Sequence, residues 1–307
     1  MSSSLEDNIR HVLGILAPKI KAKHATSSHP IILGITGLQG SGKSTWASKI
    51  VELLPSSHGL SGITVSLDDF YKTHDDLIVR REQDPENKLY RTRGQPGTHD
   101  ERLAGKFFEQ VRSWKDDQEL KIPSFDKSQF NGEGDRAPED DWPVVKKRAD
   151  VVVFEGWCVG FQSIAKEEVE RKRGAAQTSG ETEEAHSIKT LGDHQVSHLQ
   201  ELNANLKRYN EAFMGPQHFD FMIHIDTDDL HNVYTWRLQQ EHAMWKVKGS
   251  GMSDEAVVAF VRGYMPGYEL YLEGLRQGFF KGEKEGRGRQ LRAVLDKGRG
   301  VEKVEEI

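Results

Sequence analysis

The stretch that most constrains the fold of this chain is IILGITGLQGSGKST, at residues 31–45. Its first half is apolar and β-branched, which predicts a buried strand, and its last residues enter the spacing of a helix. The loop between them has the pattern G-x-x-x-x-G-K-S of a phosphate-binding loop. Glycines allow positive φ and leave backbone N–H groups open to an anion at a helix N-terminus. A nucleotide-phosphate site is therefore predicted at Gly37, Leu38, Gln39, Gly40, Ser41, Gly42, Lys43, Ser44 and Thr45.

Two side chains of this loop and one distant carboxylate are predicted to bind the phosphates and a metal ion. Lys43 is placed to reach the β- and γ-phosphates as a point charge, and the Ser44 hydroxyl is placed to ligate Mg²⁺. Glu155 closes the apolar run DVVVFE, which has the composition of a strand buried on both faces. A carboxylate there would hold Mg²⁺ directly or through water. The alternative for Glu155 is an ordinary surface residue at a strand end.

Strands alternate with helices along most of the chain, which predicts an α/β fold with a doubly wound, mostly parallel sheet. Ligands of such sheets bind at the carboxyl ends of the strands. A second strand at residues 63–66 is followed by Asp68 and Asp69, so one of these carboxylates is a candidate general base for an alcohol. An acidic turn that caps Phe70 and Tyr71 is the alternative. Both carboxylates should lie at the same sheet edge as the phosphate loop.

Positive side chains are expected around this edge as well. Four of them lie in loops that should overhang it and suit a small anionic acceptor such as a carboxylate: Arg91, Arg93, Lys127 and Arg136. Arg237 lies on a long predicted helix, and Lys246 and Lys248 lie in the glycine-flanked break that ends it. These three are predicted to belong to a lid that closes over the phosphates. Each cation has an ordinary alternative as a solvated or salt-bridged surface charge.

The composition argues against several classes of protein. The net charge of −6 and the pI near 6.1 argue against a dedicated nucleic-acid binder, which usually has a basic excess. No apolar run approaches the about 18 residues of a membrane span, and the first residues lack the apolar core of a signal peptide. Cys158 is the single cysteine. We expect a protein of the cytoplasm, or also of the nucleus, with a small-molecule substrate as its partner; the oligomeric state stays open.

Further motifs resemble those of a known family. The phosphate loop, SLDDFY at residues 66–71 and VVFEG at residues 152–156 resemble the superfamily of phosphoribulokinase, uridine kinase and pantothenate kinase. More narrowly, plant-type D-glycerate 3-kinases and their fungal kinase-like relatives are similar to this chain in DDFYKT, RGQPGTHD, IPSFDKS, FEGWCVGF, NLKRYN and WRLQQE. The matching segments are scattered from about residue 31 to residue 275.

This resemblance implies ATP-dependent phosphorylation of a hydroxyl group on a small molecule, with ATP and Mg²⁺ as the cofactors. The first aspartate of the D-x-F-Y pattern acts on the acceptor hydroxyl, which assigns that role to Asp68. Asp69 and Tyr71 are then expected on the acceptor side. Glu155 would accompany Mg²⁺, and Arg237 would be the arginine of the lid helix.

The identity of the acceptor is predicted from what one loop lacks. Residues 93–99, RGQPGTH, contain no acidic residue where nucleoside kinases of similar sequence hold ribose hydroxyls. This favours an anionic acceptor such as D-glycerate. Two alternatives stay open: a kinase of the same fold with a nucleoside, pantothenate-like alcohol or other sugar acid as acceptor, and a non-catalytic nucleotide-binding switch or assembly factor.

One P-loop kinase domain is expected over residues 1–307, with a helix and linker at 1–29, a disordered insertion at 171–195 and the lid region at 228–265. The N-terminal helix is expected to end at Pro18, because proline disrupts helix interiors. Thr227 or Asp228 is expected to cap the lid helix. Other expectations are polar loops at 72–97 and 126–143, a hinge at residues 266–267 and a last strand at 291–295.

Overall fold

The computed structural model describes residues 5–178, 187–282 and 286–307. Its α-helices are α1 (Leu5–His24), α2 (Lys43–His58), α3 (His74–Gln83), α4 (Glu101–Ser113), α5 (Lys166–Thr178), α6 (Val196–Tyr209), α7 (His231–Lys248), α8 (Asp254–Arg262) and α9 (Met265–Gln277). Its strands are β1 (Ile31–Gly37), β2 (Gly62–Ser66), β3 (Leu120–Lys121), β4 (Phe125–Asp126), β5 (Asp135–Arg136), β6 (Val144–Val145), β7 (Val151–Gly156), β8 (Phe221–Asp226), β9 (Gln290–Leu295) and β10 (Val301–Glu306). Within these ranges, no helix has the length and hydropathy of a membrane span.

The core is a six-stranded sheet with the strand order β10–β9–β8–β1–β7–β2. Neighbouring strands are parallel throughout, except for the antiparallel pair of β9 and β10 at one edge. Every residue of β1, β7, β8 and β9 is buried, as expected of parallel strands covered by helices on both faces. The predicted doubly wound, mostly parallel α/β fold is confirmed.

The order of the strands places a crevice beside β1. From β1 the chain runs through α2 to β2, and β7 later fills the position between these two strands. After β7 the chain crosses to the opposite side of β1 and forms β8. Because the winding reverses there, the connections that follow β1 and β7 diverge and leave an opening at their carboxyl ends. The phosphate loop follows β1, and Glu155 lies near the end of β7.

The expected end of the first helix at Pro18 is wrong. α1 continues through Pro18 to His24. A proline in a helix interior removes one hydrogen bond and costs about 3 kcal/mol. Ala17 and Ile20, on either side of it, are fully buried against the core. Since burying one large aliphatic side chain contributes about 1.5–3 kcal/mol, continued packing of the helix offsets the defect.

The two predicted loops on the acceptor side contain regular structure. The stretch 72–97 includes α3, whose first turn is capped where the Thr73 hydroxyl accepts a hydrogen bond from the Asp76 N–H. In the stretch 126–143, β5 pairs with β4. Just after this stretch, β6 pairs with β3. Each of these strands has two residues. Such short strands have no alternation of apolar and polar residues that a sequence could reveal.

The expected disordered insertion at 171–195 is wrong for the part that the structure describes. Residues 171–178 continue α5, and Leu191 and His194 are buried; residues 179–186 lie outside the described ranges. This polar segment is held by charged side chains. Lys172 donates to the Glu269 carbonyl at 2.9 Å, and the Arg173 guanidinium donates to the His194 carbonyl at 3.1 Å. Such contacts leave no apolar periodicity in the sequence.

The lid helix is not capped as predicted. α7 begins at His231, after Thr227 and Asp228; Leu230, at the N-cap position, makes no side-chain cap, and the Asp229 carboxylate accepts the His231 N–H at 3.0 Å. The Thr227 hydroxyl instead accepts hydrogen bonds from the Asp229 N–H at 3.3 Å and from the Asn232 amide at 2.9 Å. These contacts fix the turn between β8 and α7.

The C-terminal part of the chain differs from prediction in two places. Pro266 and Gly267 lie in the first turn of α9, so the expected hinge is helical; proline is well tolerated there because the first N–H groups of a helix lack partners. The expected strand at 291–295 is confirmed as β9, and it continues through a tight turn into β10, which was not predicted. This hairpin returns the chain to the sheet edge.

Candidate active site

A cleft of about 1580 Å³ opens over the carboxyl ends of the strands. Most of the predicted site residues line it: residues 39–45, Asp68, Tyr71, Arg91, Arg93, Lys127, Glu155 and Arg237. Of the residues predicted to bind the nucleotide, the metal or the acceptor, four do not line it: Gly37, Leu38, Asp69 and Arg136. The fold therefore gathers the phosphate loop, two carboxylates and several cations around one opening.

The phosphate loop has the backbone shape that its glycines permit. Gly40 and Gly42 have φ angles of 76° and 88°, in the left-handed region that favours glycine. A Cβ atom at Gly42 would meet nothing within 4 Å, whereas one at Gly40 would lie 2.8 Å from the Cβ atom of Trp236. The Gln39 N–H donates to the Tyr268 hydroxyl at 3.0 Å. The loop is thus packed against α7 and α9 on one side and open at Gly42.

Glu155 and two hydroxyls form an oxygen-rich cluster beside the loop. The hydroxyls of Ser44 and Ser66 both donate to Glu155 Oε1, at 3.0 Å and 2.9 Å. The other carboxylate oxygen, Oε2, is buried and has no hydrogen-bond partner among the described residues. An unpartnered buried oxygen is costly, and hard cations such as Mg²⁺ prefer oxygen ligands. Ser44 and Glu155 therefore fit a bound Mg²⁺.

Asp69 stabilises the turn after β2. Its carboxylate accepts the Ser66 N–H at 2.9 Å, while the Ser66 hydroxyl accepts the Asp68 N–H at 3.3 Å. This reciprocal cap starts the short helical turn Leu67–Phe70. Burial and the nearby charges of Asp68 and Glu155 raise the pKa of Asp69 to about 6, against the opposing hydrogen bond from Ser66. Asp69 thus stabilises the turn that positions Asp68, and Asp69 itself does not line the cleft.

Asp68 faces the cleft and pairs with Lys127. The Lys127 ammonium donates directly to Asp68 Oδ2, and 29% of the Asp68 side chain stays exposed. Burial alone would raise the pKa of Asp68. The positive charges of Lys127 and Lys43 and the hydrogen bond from Lys127 outweigh burial and hold this pKa below its usual range. Asp68 is therefore ionised at neutral pH and can accept a proton.

A rigid aromatic wall stands next to Asp68. The Tyr71 ring stacks on His99 with 4.4 Å between the ring centroids, and the Tyr209 hydroxyl accepts the His99 backbone N–H at 3.0 Å. Burial lowers the pKa of His99 to about 3, although the Asp68 charge opposes this, so the imidazole is neutral. Burial and the Asp68 charge raise the pKa of Tyr264, which lines the same cleft. His99 and Tyr264 were not predicted as site residues.

Two of the predicted acceptor arginines lie on the cleft wall. Arg91 is exposed, and the Arg93 guanidinium donates to the Gly132 carbonyl at 2.8 Å and to the Glu133 carbonyl. Arg93 also lies 5.7 Å above the Tyr71 ring, within the range of a cation–π contact. The loop that contains Gly132 and Glu133 thus fixes Arg93 at the rim.

Arg136 has a different position from the one predicted. Its guanidinium donates to the Tyr71 carbonyl at 2.7 Å and pairs with Asp100 at 3.1 Å. These contacts join β5 to the start of α4 and to the turn after β2. Arg136 therefore supports the aromatic wall from outside the cleft.

Arg237 lies on the cleft wall within α7. It pairs with Glu241 at 2.7 Å, with 12% of the Arg237 side chain and 1% of the Glu241 side chain exposed. Its guanidinium lies 5.2 Å above the Phe260 ring of α8. Lys246 is exposed and lies outside the cleft, and the Lys248 side chain is outside the described part of the structure. Of the three predicted lid cations, the structure thus brings Arg237 to the site.

Arg299 is a site residue that sequence reasoning did not find. It lies in the turn between β9 and β10, with a positive φ of 67°. Its guanidinium donates to the carbonyls of Gly40 and Trp236, at 2.7 Å and 2.8 Å, and to the Gln239 side chain at 2.8 Å. It therefore joins the phosphate loop to α7. The charged tail around Arg299 has no pattern that indicates this role, because Arg299 and Gly40 are 259 residues apart in the sequence.

Residues 32–170 match the family model of the phosphoribulokinase / uridine kinase family. It is 36% identical over 278 residues to the probable ATP-dependent kinase TDA10 of Saccharomyces cerevisiae, covering 89% of this chain and 87% of that protein. The chain belongs to the phosphoribulokinase / uridine kinase family, and it is a kinase with the P-loop fold.

Two more similar proteins have a narrower description. The chloroplastic D-glycerate 3-kinase of Arabidopsis thaliana is 33% identical over 256 residues, which cover 83% of this chain and 50% of that protein. A solved structure of a D-glycerate 3-kinase from Cryptococcus neoformans var. grubii has a TM-score of 0.85 and 32% identity, covering 97% of this chain and 99% of that one. The resemblance inferred from the motifs is confirmed.

Proposed function

We propose that this kinase transfers the γ-phosphate of ATP to a hydroxyl group of D-glycerate and forms 3-phosphoglycerate. The observation that carries the proposal is that one cleft is lined by the phosphate loop, the ionised Asp68 and the cations Arg91, Arg93 and Lys127. Two similar proteins are described as D-glycerate 3-kinases, and a third as a probable ATP-dependent kinase. These descriptions support both the donor and the acceptor.

The phosphate side of the cleft provides charge and fixed donors. Lys43 and the N–H groups of the loop bind the β- and γ-phosphates, and Ser44 and Glu155 would hold Mg²⁺. Bound Mg²⁺ supplies positive charge to the phosphate oxygens. Arg237 lies on the neighbouring wall, where its guanidinium stabilises the negative charge that spreads over the transferred phosphoryl group.

The acceptor side provides the proton acceptor. As the hydroxyl oxygen of the acceptor bonds to the γ-phosphorus, its proton passes to the Asp68 carboxylate. At the same time the bond between the γ-phosphorus and the bridging oxygen breaks, and its electron pair leaves with ADP. Asp69 and the short turn at Leu67–Phe70 hold Asp68 at the cleft surface. The proposed reaction therefore needs one ionised carboxylate, and the ionised Asp68 supports the proposal.

The acceptor proposed here is an anion because of the charges around Asp68. Arg91, Arg93 and Lys127 line the cleft, and residues 93–99 contribute no carboxylate to it. Guanidinium and ammonium groups bind carboxylates through charge-assisted hydrogen bonds. The hydroxyl groups of a neutral nucleoside would find no carboxylate partner in that loop.

³¹P NMR of the purified protein with Mg-ATP, with and without D-glycerate, tests the proposal. We expect 3-phosphoglycerate to form only when glycerate is present, and not in the Lys43→Ala variant. An Asp68→Asn variant should lower kcat by about 10²- to 10⁴-fold, since it removes the base. If ADP forms equally slowly in both samples, glycerate is the wrong acceptor, and a panel of hydroxy acids and nucleosides follows. ATP binding with no turnover on any acceptor would instead indicate a nucleotide-binding switch.

A further inference from the structure

The pairing of Lys127 with Asp68 places a cation on the carboxylate that must accept a proton. Both side chains line the cleft, and 55% of Lys127 and 29% of Asp68 are exposed to solvent. Ion pairs with this exposure contribute little to stability. A second anion that enters the cleft can therefore take Lys127 away from Asp68 at small cost.

The backbone around Lys127 is fixed, so its side chain is the part that can move. Phe125 and Asp126 form β4, and the Phe125 ring packs on Tyr71 with 5.1 Å between the ring centroids. On the other side of Lys127, the Asp126 carboxylate accepts hydrogen bonds from the Ser128 N–H and hydroxyl, at 2.9 Å and 2.6 Å. The ammonium is carried on a flexible four-carbon chain, so rotation about its bonds moves the charge without moving the loop.

Lys127 differs from its neighbouring cations in its partner. Arg93 donates to the carbonyls of Gly132 and Glu133, and Arg136 donates to the Tyr71 carbonyl. Those bonds hold the arginines in place and leave Asp68 unaffected. Lys127 is bonded to Asp68 itself, so any anion that binds Lys127 also changes the state of the base.

We propose that Lys127 is a positioning residue that changes partners during the reaction: it pairs with Asp68 in the free enzyme and with the acceptor carboxylate in the complex. The inference rests on the proposed function in taking the acceptor to be a hydroxy acid. The exchange places the acceptor hydroxyl beside Asp68 and frees an oxygen of Asp68 to receive its proton. An anionic acceptor thus assembles the site that phosphorylates it.

The same exchange limits wasteful hydrolysis of ATP. In hydrolysis a water oxygen bonds to the γ-phosphorus, the bond to the bridging oxygen breaks, ADP leaves, and the water proton must pass to a base. While Lys127 donates to Asp68 Oδ2, that oxygen is not available to receive the proton of a water molecule in the cleft. The free enzyme should therefore hydrolyse ATP slowly, and a neutral alcohol should be a poor acceptor.

The first test needs no acceptor and uses Lys127→Met, with Lys121→Met as the control. Lys121 is 44% exposed, pairs with Glu139 at 3.7 Å and does not line the cleft. We expect hydrolysis of Mg-ATP alone to rise about 5- to 10-fold in Lys127→Met and to stay unchanged in the control. Adding Asp68→Asn to Lys127→Met should remove the rise. Unchanged hydrolysis in folded Lys127→Met, checked by thermal unfolding and repeated in Lys127→Gln, would overturn the proposal.

The second test compares D-glycerate with its neutral amide, D-glyceramide. Losing a charged contact should raise the KM for glycerate about 10- to 100-fold in Lys127→Met and change the KM for glyceramide less than about twofold. An equal loss for both acceptors would mean that Lys127 has only a structural role. Failure of the wild-type protein to phosphorylate glycerate would contradict the proposed acceptor alone, because the first test still measures the coupling between Lys127 and Asp68.

Discussion

Two glycines of the phosphate loop offer a way to separate folding from nucleotide binding. Gly40 and Gly42 both have positive φ, so an alanine at either position adopts a left-handed conformation that costs about 1–2 kcal/mol. Their surroundings differ. The Cβ atom of Gly42→Ala enters open space beside the cleft, whereas that of Gly40→Ala lies 2.8 Å from the Trp236 Cβ and 2.9 Å from the Arg237 backbone nitrogen.

The difference in surroundings sets the expected magnitudes. Gly42→Ala should cost only the backbone strain, about 1–2 kcal/mol. Gly40→Ala adds overpacking against the backbone of α7, which cannot yield without moving the helix, so about 2–5 kcal/mol in total is expected. For a chain of this size, about 1 kcal/mol shifts Tm by roughly 2–4 °C. We expect Tm to fall by about 2–8 °C in Gly42→Ala and by more in Gly40→Ala.

The two variants should rank in the opposite order for ATP binding: Gly42→Ala, the less destabilised variant, should lose more affinity for ATP than Gly40→Ala. At an ATP concentration of about 100 Kd, the wild-type protein gains about 2.7 kcal/mol from binding. A methyl group at Gly42 intrudes where the phosphates approach, and a tenfold weaker Kd would reduce that gain to about 1.4 kcal/mol. Thermal unfolding with and without ATP, together with calorimetric titration of ATP, measures both quantities on the same samples.

The pair of variants gives a clear refutation. If Gly42→Ala destabilises the free protein as much as Gly40→Ala does, the inference that a side chain at Gly42 enters open space is wrong. If Gly42→Ala is stable and binds ATP with the wild-type Kd, the phosphates do not lie in front of this loop.

Three further predictions concern the metal, pH and the C-terminal hairpin. Glu155→Gln should weaken Mg²⁺ binding by about 10- to 100-fold without lowering Tm, because it removes a buried charge with an unpartnered oxygen; titration of Mg²⁺ against the ATP-bound protein measures this. Burial lowers the pKa of His99 to about 3, so the folded state stays neutral while the unfolded state binds a proton near pH 6.5. The stability that this histidine contributes above pH 6.5 is lost as the pH falls towards 3. In His99→Gln, the free energy of unfolding should therefore change less with pH, by up to about 1.4 kcal/mol per pH unit. Urea titrations between pH 6 and 4 measure this slope. Arg299→Ala should weaken ATP binding about fivefold by calorimetry, since one hydrogen bond that holds Gly40 is lost, whereas the exposed Arg287→Ala should not.

Features of the site that depend on local sequence were predictable. The phosphate loop follows a strand and opens a helix within 15 residues, and the glycines that it needs are visible in the letters. Asp68 and Glu155 are far apart in sequence, yet both follow apolar runs. Because parallel strands end at one edge, a general rule of the fold places them together.

Features that depend on long-range contacts were not predictable. Arg299 reaches Gly40 only because β9 and β10 form a hairpin at the sheet edge. The charged sequence of this tail does not indicate a hairpin. Arg136 was expected to bind the acceptor, but its partners are the Tyr71 carbonyl and Asp100, which lies just before α4. Asp69 was predicted to share the role of Asp68 because the two residues are neighbours in the sequence. The direction of each carboxylate depends on the turn that contains both residues.

The predicted lid region, residues 228–265, divides into two parts with different constraints. Its first part is fixed to the phosphate loop: the Trp236 Cβ lies 2.8 Å from the position of a Cβ at Gly40, and the Trp236 carbonyl accepts a hydrogen bond from Arg299. Arg237, the next residue, is therefore held beside the phosphate loop. The second part is less enclosed, with Trp245 44% exposed and Val247 85% exposed. Since loosely packed segments open at lower free energy than packed ones, closure of the cleft should involve the end of α7 and leave Arg237 in place.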